Sequence, residues 1–539
     1  MSNTRELKEV GIIVGEASSS EFFFASRADE CPPKWEYLVA FSKEEVDGRW
    51  IEVPVIAQVE SIISASQALS KDVDLEALRR IIAAQLDDVR TWGRARVLGY
   101  LAEPGSRILQ PRRAIVPGKP VYLAPGDILS KFYSFPEEEG LLMGHLITRA
   151  DVPVHLSIRG FRRHLAIIAQ TGAGKSYCAG VLIEELMRKG ATVVVIDPHA
   201  DYVLMSLARG GGRHELSDGI TIFRSPASPG RIRAKDLGRV KEYGVAFSDL
   251  DPSEVCDIAG IPDRASNLRE AVRMALESLK GSQYAPEDLL GALESADWVK
   301  GEGGKVDRRL KAHAEGAMKY IRSLARLRVF GASSTPIEEL LKPAHAAIVD
   351  LSGLGDDAMN YIASRILQGI YDAVAMGAYE YPVFAIIEEA HKFVPPDRET
   401  YASPIVNKIA AEGRKFGIFL ALITQRPSKV DPDSLSQCNS QIIMRLTNPQ
   451  DQRAVEQSSE RMSQDLMADL PGLNQGECII VGEVTKAPVM ARVRRRETME
   501  GGADVDVVEK LRLARRAAAE MELERGEMAR RVPFRGEFG

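Results

Sequence analysis

The chain has 539 residues, of which 45% are hydrophobic and 27% are charged, and its formal net charge is −6. This composition is typical of a globular protein with ample core material, and the length predicts about three or four structural units. The acidic balance excludes a uniformly basic protein that coats nucleic acid. Any nucleic-acid site must therefore be a local basic surface, such as the wall of a channel.

Other features restrict the cellular setting. No apolar run approaches the roughly 20 residues that cross a bilayer. The N-terminus lacks the apolar region of a signal peptide. The five cysteines are widely scattered and form no CxxC pair, which argues against a disulfide framework or a zinc site. We therefore expect a cytoplasmic protein.

Residues 1–148 carry short β-type runs that Pro, Gly and Asp separate, such as Val10–Val14, Glu36–Phe41 and Trp50–Ile56. Short strands punctuated in this way favour a small barrel or sandwich. A helical stretch around Leu75–Ile82 interrupts the pattern. We predict an N-terminal β-barrel domain.

From about residue 150 the pattern becomes α/β. A buried strand run at Leu165–Ile168 leads into a glycine-rich loop, a helix from Ser176 to Arg188 and a second strand at Thr192–Ile196. This βαβ unit implies a parallel sheet. Strand signals resume after residue 341, whereas 207–341 is mostly helical. We predict an α/β core over 149–206 and 342–502, a helical insertion over 207–341, and a C-terminal helix and tail over 503–539.

Residues Ala169–Ser176 match the phosphate-loop pattern GxxxxGK[ST], except that Ala169 replaces the first glycine. Glycines let backbone N–H groups curl around phosphate oxygens, and the helix N-terminus adds a favourable dipole. Lys175 would reach the β and γ phosphates, and Ser176 would offer its hydroxyl to Mg²⁺. ATP and Mg²⁺ are therefore the expected cofactors. The predicted nucleotide-binding residues of the loop are Thr171, Gly172, Ala173, Gly174, Lys175 and Ser176.

A pair of acids follows the apolar run Val383–Ile387. Ligands in open α/β sheets bind at the carboxyl edge of the strands, where Glu388 and Glu389 would project. We expect Glu388 on the Mg²⁺ side and Glu389 as the general base that activates water. Asp197 would face the same edge, near Mg²⁺ or the attacking water. The alternative for the acid pair is a solvated acidic turn.

Two further polar groups sit near strand ends. Gln425, or in second place Thr424, could contact the γ-phosphate and report hydrolysis; the alternative is an ordinary strand-end turn. Arg414 lies at the end of a helix predicted over 404–415. It could act as an arginine finger in a neighbouring subunit, or merely complement the helix dipole.

Together these segments resemble the HerA family of the FtsK–HerA ATPase superfamily, over roughly residues 8–500. No single short motif is unique to the family, but the ordered set is specific. The segments that carry the resemblance are Val10–Glu16, Pro117–Ala124, Arg163–Ser176, Val195–Tyr202, Val349–Leu354, Glu388–His391, Glu412–Gly417 and Thr424–Ser428.

The resemblance implies a RecA-like P-loop core behind a barrel of the HAS type, assembled as a homohexameric ring that translocates double-stranded DNA. It implies work in DNA-end processing with a NurA-type nuclease bound through the barrel. It also supports Arg414 as a finger acting in trans and Arg163 as a second positive group at the nucleotide. A hairpin around Lys486 and Arg492 would close over the nucleotide. Glu388 departs from the usual aspartate, and its longer side chain could alter the metal geometry.

DNA contacts are expected from loops lining a central pore, made to phosphates and therefore independent of sequence and sensitive to salt. The candidate loops are Arg209–Arg213 and Arg426–Lys429, although a basic glycine-rich loop can also be a solvated turn.

Two other functions use the same core: a conjugation- or secretion-type ATPase that pumps a substrate, and an NTP-gated scaffold that does not hydrolyse. The lack of a membrane segment argues against the first, and Lys175, Ser176 and Glu389 argue against the second.

Overall fold

Two β-sheets form the framework of the chain, one antiparallel and one mostly parallel. The computed structural model describes residues 7–46, 48–85, 88–101, 107–281, 283–295, 308–502 and 507–531. Among these residues, no helix combines the length and the apolar character that a membrane span requires.

The first sheet has the strand order β2-β1-β7-β3-β4-β5-β6, and an additional β2–β5 pairing closes it into a barrel. Alternate side chains such as Phe22, Phe24 and Val55 point inward and are fully buried, as the two-residue period of a strand dictates. The predicted N-terminal barrel is therefore confirmed. Its strands are β1 Glu9–Ala17, β2 Glu21–Ser26, β3 Tyr37–Val46, β4 Arg49–Ala65, β5 Arg90–Leu101, β6 Ile108–Leu109 and β7 Pro120–Leu123.

The second sheet has 12 strands in the order β13-β12-β16-β11-β17-β18-β10-β19-β20-β21-β8-β9. Strands from β13 to β19 pair in parallel, and those from β20 to β9 pair antiparallel. The strands are β8 Gly140–Leu146, β9 Pro153–Ser157, β10 Leu165–Ile168, β11 Thr192–Asp197, β12 Ile220–Arg224, β13 Val240–Glu242, β16 His345–Asp350, β17 Val383–Ile387, β18 Ile418–Thr424, β19 Ser440–Met444, β20 Glu477–Val481 and β21 Val489–Val493; a separate short pair joins β14 Val245–Ala246 to β15 Phe330–Gly331.

Helices cover both faces of this sheet, and two apolar clusters lie on its two sides. This is the P-loop α/β core that the sequence predicts. The helices are α1 Leu75–Ala83, α2 Gly126–Tyr133, α3 Lys175–Arg188, α4 Pro252–Ile258, α5 Ser266–Ser278, α6 Pro286–Ser295, α7 Arg308–Ala325, α8 Asp356–Ala375, α9 Ser403–Glu412, α10 Pro432–Gln437, α11 Pro449–Ser458, α12 Gln464–Asp469 and α13 Val507–Arg531.

Strand pairing extends the core sheet beyond the predicted domain limits. Strand β8 begins at Gly140 and pairs with β21, so the sheet starts before the predicted boundary at 148. Strands β12 and β13 lie inside the segment predicted as a helical insertion, yet β12 pairs in parallel with β16. A short, mostly apolar run such as Ile220–Phe223 does not distinguish a buried strand from a buried helix by periodicity alone. The helical part of the segment begins at α4.

Four neighbouring parallel strands determine where the site forms. Strands β11, β17, β18 and β10 are adjacent in the sheet, and their carboxyl ends meet at one edge. The phosphate loop follows β10, Glu388 and Glu389 follow β17, and Gln425 follows β18. Groups that are far apart in the chain are thereby brought together at this edge, where open α/β sheets bind ligands.

Besides apolar packing, polar contacts with α12 dock the barrel on the core. Both Lys34 and the Trp35 indole donate to the Asp469 carboxylate, the indole at 2.9 Å. At the other end of α12, Arg94 pairs with Asp465 at 2.8 Å. The Asp469 side chain is 9% exposed, whereas that of Asp465 is 50% exposed. Asp469 is therefore the better-shielded anchor of the two.

Replacing Asp469 with alanine should weaken this docking, because the Trp35 indole and the Lys34 ammonium lose their acceptor. We expect a cost of about 1–3 kcal/mol. Thermal unfolding should show a lower transition temperature, and limited proteolysis should release the barrel faster. Asp465→Ala is the matched control: its ion pair is screened by solvent, so its loss should cost less than about 1 kcal/mol. Equal effects of the two substitutions would refute this assignment.

Candidate nucleotide-binding site

The loop between β10 and α3 has the conformation that phosphate binding requires. Gly172 and Gly174 adopt φ angles of 79° and 106°, a region that side chains other than glycine rarely occupy. A Cβ added at Gly172 would meet nothing within 4 Å, so the loop leaves open space there. The first amides of α3 have no partner within the helix and point into the same space. Loop and helix together form an anion-binding concavity.

Ala169 occupies the position of the first motif glycine without strain. It is fully buried directly after β10, and its N–H donates to the Thr424 carbonyl at 3.2 Å. It is not among the described residues with positive φ. The conformation therefore does not require glycine at this position, and a methyl side chain is accommodated.

The Lys175 ammonium bridges the two acids that follow β17. Its Nζ lies 2.6 Å from a carboxylate oxygen of Glu388 and 2.6 Å from one of Glu389. Burial lowers the pKa of Lys175, but the charges of Glu388 and Glu389 outweigh this and raise it above its ordinary value. Lys175 is therefore a firmly charged cation placed between the phosphate loop and the acid pair.

Glu388 is the more enclosed of the two acids. It is 0% exposed, its second oxygen accepts a hydrogen bond from the Tyr202 hydroxyl, and Lys175 contacts the first. Burial raises the pKa of Glu388, and the Lys175 charge opposes this rise. The contact with Lys175 is an ion pair, and the first oxygen has no hydrogen-bond partner among the described residues.

Glu389 faces the cavity beside the phosphate loop. Its backbone is left-handed, with a φ of 53°, a conformation that costs energy in a residue other than glycine and tends to cluster at functional sites. One oxygen contacts Lys175, and the other lies 3.2 Å from Nδ1 of His391. Burial lowers the pKa of His391, with Glu389 opposing, so the imidazole remains largely neutral at pH 7. The hydrogen-bond partner of Nδ1 is the Thr424 hydroxyl at 3.3 Å, so this second oxygen of Glu389 has no hydrogen-bond partner among the described residues.

Asp197 does not face the cavity, contrary to the sequence prediction. Its carboxylate accepts backbone N–H groups of His199 at 3.2 Å, Asp201 at 3.0 Å and Tyr202 at 2.9 Å. An acid at a strand end can bind the following turn as easily as a ligand, and here it binds the turn. The carboxylate of this turn that reaches the cavity is that of Asp201, whose Oδ2 accepts a hydrogen bond from the Ser176 hydroxyl at 2.7 Å.

Gln425 meets the phosphate loop directly. Its side-chain oxygen accepts the Thr171 hydroxyl at 2.5 Å, and both residues line the cavity. Thr424, the second choice from sequence, is fully buried behind it and accepts the N–H of Arg426. Gln425 is thus the strand-end residue in a position to respond to the nucleotide.

The cavity has a volume of about 790 Å³, within the range of small-molecule sites. Part of its wall comes from a segment after β21 that the sequence motifs do not indicate. Arg496 is buried there and donates to the Ser176 carbonyl at 3.4 Å and to Thr498 at 3.0 Å. A Cβ at Gly180 would lie 2.4 Å from its guanidinium, so this packing depends on glycine in α3.

Arg209 also lines the cavity, although the sequence suggested it as a DNA contact. Its guanidinium donates to the Tyr177 hydroxyl at 3.0 Å and lies 5.5 Å from the centre of that ring. Arg213 is exposed and pairs with Asp218 at 2.6 Å. In the other candidate loop, Arg426 and Lys429 are exposed.

Three predicted nucleotide-binding or catalytic residues lie at the opposite edge of the sheet. Arg163 precedes β10, Arg414 precedes β18, and Lys486 lies in the turn that follows β20. Strand β18 has 7 residues, so about 20 Å of strand separates Arg414 from the cavity of its own chain. Arg163 and Arg414 are both exposed.

Lys486 is therefore not part of a lid over this chain's own cavity, contrary to the sequence prediction. Strand β20 runs antiparallel to β19, so its end and the following turn lie at the amino edge of the parallel strands. The Lys486 ammonium lies over the Phe135 ring, 5.2 Å from its centre. Arg492 is different, because its antiparallel pairing with β20 places it at the carboxyl edge of the parallel strands, where it pairs with Glu477 at 2.8 Å.

Comparisons with known proteins find relatives that align over most of the chain. A family model described as "Helicase HerA, central domain" matches residues 141–370. The DNA double-strand break repair helicase HerA of Pyrococcus furiosus is 30% identical, over 92% of this chain and 93% of the relative. A probable helicase of Methanocaldococcus jannaschii is 29% identical over 93% of each chain. Among solved structures, a bacterial conjugative coupling protein has a TM-score of 0.46 at 14% identity, covering 71% of this chain and 94% of that chain.

The phosphate loop, the paired acids and the parallel sheet define a P-loop ATPase of the RecA-like class that uses ATP with Mg²⁺. Within that class, the chain belongs to the HerA family, because the resemblance to a family member extends over almost the whole of both chains.

The loop geometry predicts opposite outcomes for two single-methyl changes. Ala169→Gly, which completes the phosphate-loop motif, should leave the affinity for a fluorescent ATP analogue within about twofold, because Ala169 already has an unstrained backbone. Gly174→Ala should reduce that affinity at least about tenfold. Gly174 lies directly before α3 in a left-handed conformation, and a methyl side chain there would strain the backbone. A tight-binding Gly174→Ala variant, or a large gain from Ala169→Gly, would contradict the assigned loop conformation.

Proposed function

We propose that this chain is a ring-forming, ATP-driven translocase of double-stranded DNA that acts as a helicase in the processing of DNA ends. The observation that carries the proposal is the contact of Lys175 with Glu388 and Glu389 beside a phosphate-binding loop. This arrangement supplies the charge and the base that ATP hydrolysis needs. Family membership supports DNA as the substrate along which the energy is used, since several relatives are named as DNA repair helicases.

The nucleotide would lie in the cavity with its phosphates on the N–H groups of residues 171–176. Ser176, Asp201 and Glu388 offer oxygen ligands, which is the donor chemistry that Mg²⁺ prefers, so the residues fit the ion. We assign Ser176 and Glu388 to holding it. When bound, Mg²⁺ neutralises charge that develops on the phosphate oxygens. Arg492, at the same edge, would add positive charge near the nucleotide.

Hydrolysis requires a base close to the terminal phosphate. Glu389 would accept a proton from water as the water oxygen attacks the γ-phosphorus and the bond to the bridging oxygen of ADP breaks. The Lys175 ammonium, once drawn to the phosphates, leaves the Glu389 carboxylate free to take that proton. Gln425, bonded to Thr171, would change partner when the γ-phosphate leaves.

Arg414 and Arg163 argue for assembly. They cannot reach this chain's cavity, because the length of the sheet intervenes, and both are exposed cations at the amino edge. If a neighbouring subunit stacks its cavity against that edge, both arginines face its nucleotide. A homohexameric ring would bring these two edges together around a central pore, and Lys486 would then belong to the same intersubunit surface.

DNA would pass through the pore and contact basic loops at phosphate groups, so that binding falls steeply with salt. Arg213 and the Arg426–Lys429 loop remain candidates, whereas Arg209 is engaged at the nucleotide cavity. The barrel would be the docking site for a NurA-type nuclease partner. Its contacts with α12 would transmit that docking to the core.

The proposal predicts ATP hydrolysis that linear duplex DNA stimulates, by a particle with the mass of six chains. Lys175→Ala should lose detectable turnover, because the phosphates lose their cation. Glu389→Gln should retain ATP binding and lose turnover by at least about a hundredfold, because an amide cannot accept the proton of water. The measurements are phosphate release with and without DNA, equilibrium binding of labelled ATP, and native mass spectrometry.

The two variants differ in a useful way. Only Glu389→Gln is expected to bind ATP as well as the unmodified protein does. Turnover that survives in Glu389→Gln would refute its assignment as the base. Hydrolysis that DNA leaves unchanged would favour a scaffold or a pump for another substrate over a DNA translocase.

Assembly in trans can be tested by mixing two inactive proteins. Arg414→Ala subunits retain a complete phosphate loop, and Lys175→Ala subunits retain Arg414. If Arg414 acts across an interface, mixed rings contain complete sites and should recover a measurable fraction of the hydrolysis rate. The control is each variant alone at the same total concentration, with native mass spectrometry to verify that mixed rings form. Mixed rings without any recovery would count against a role in trans.

A further inference from the structure

Asp201 stands beside the last residue of the phosphate loop, and no motif in the sequence assigns it a function. Its Oδ2 accepts the hydrogen bond of the Ser176 hydroxyl at 2.7 Å, and both residues line the cavity. A role for this pair of residues in cation binding rests on the proposed ATPase function.

The direction of this hydrogen bond matters for cation binding. A serine hydroxyl has one hydrogen and two lone pairs. Because Asp201 takes the hydrogen, both lone pairs of the Ser176 oxygen remain available to a cation in the cavity. Partners that orient a metal ligand in this way typically contribute 10- to 100-fold in metal affinity.

The position of Asp201 is fixed by its surroundings. The buried Asp197 carboxylate accepts the backbone N–H of Asp201 at 3.0 Å and those of His199 and Tyr202. Ala200, between them, has a φ of 61°, a strained conformation that the same contacts maintain. Asp201 is therefore held in place before any ligand arrives, and no ordering of the turn is needed.

The same turn also controls the other acid at the cation site. Tyr202 donates its hydroxyl to Glu388, whose remaining oxygen contacts Lys175. Glu388 is fully buried, whereas Asp201 is only partly buried and faces the cavity. Of the two carboxylates, Asp201 is the one that contacts the serine of the phosphate loop.

We propose that Asp201 is a positioning residue for the divalent cation: it orients the Ser176 hydroxyl and adds a negative charge close to the ion. It acts through Ser176 and makes no contact with the phosphates. Asp197 serves it indirectly by fixing the turn that carries it. The role that the sequence suggested for Asp197 is thus carried by a residue four positions later.

The test measures Mn²⁺ affinity directly, as a probe of the cation site, by electron paramagnetic resonance on the full-length protein with a non-hydrolysable ATP analogue. Asp201→Asn should weaken Mn²⁺ binding about 10- to 100-fold. Its affinity for the nucleotide in EDTA should stay within about twofold of the unmodified protein. Asp218→Asn is the matched control, because it removes one negative charge from an exposed side chain outside the cavity.

A second pair of variants tests the route through Ser176. If Asp201 acts by orienting that hydroxyl, Ser176→Ala together with Asp201→Asn should bind Mn²⁺ nearly as well as Ser176→Ala alone, because the two losses are one interaction. Asp201→Glu should recover part of the affinity that Asp201→Asn loses, because it restores the charge. It also serves as the folded reference if the asparagine variant is unstable.

Three results would overturn the inference. They are Mn²⁺ affinity unchanged in Asp201→Asn, losses that add fully in the double variant, and no recovery in Asp201→Glu. Each of these leaves the ATPase proposal intact, as long as the unmodified protein binds the nucleotide and Mn²⁺. An unmodified protein that binds neither would instead refute the proposed function itself.

Discussion

The whole site depends on one cation shared between two carboxylates. Lys175 comes from the loop after β10, and Glu388 and Glu389 come directly after β17, with Glu389 214 positions later in the chain. Since the negative charges of two adjacent acids repel each other, the ammonium between them offsets that repulsion. The same ammonium is the group that a triphosphate would attract. In the proposed mechanism, nucleotide binding would be tied to the state of the base, because a lysine drawn towards the phosphates would release Glu389.

Much of this arrangement could be predicted from sequence, because it follows from the geometry of parallel strands. The loop at Ala169–Ser176 is recognisable by its glycines and lysine between a strand and a helix. Glu389 and Gln425 each follow an apolar run, and parallel strands bring their carboxyl ends to one edge. The barrel was also predictable, since short strands separated by turn residues typically form a small barrel or sandwich. Strands β12 and β13 were not, because β12 is a brief, mostly apolar run and β13 has only 3 residues, so neither carries a distinguishing period.

The features of the site that could not be predicted from sequence depend on which groups each side chain contacts. Strand patterns do not specify those contacts. Asp197 and Asp201 belong to one turn, and only the hydrogen bonds reveal that the first binds backbone and the second binds Ser176. Arg496 joins the cavity wall from a segment without a motif. Lys486 was expected over the nucleotide, but strand direction carries its turn to the opposite edge. In each case the deciding fact is a contact or a strand orientation beyond the local pattern.

The most direct test of this account is the structure of the protein bound to a non-hydrolysable ATP analogue with magnesium. We expect the phosphates on the amides of residues 171–176 and Lys175 drawn onto them. Glu389 should lie within hydrogen-bonding distance of a water molecule in line with the terminal phosphorus. A cavity that stays empty at saturating analogue, or a Glu389 side chain that turns away from the terminal phosphate, would contradict the account.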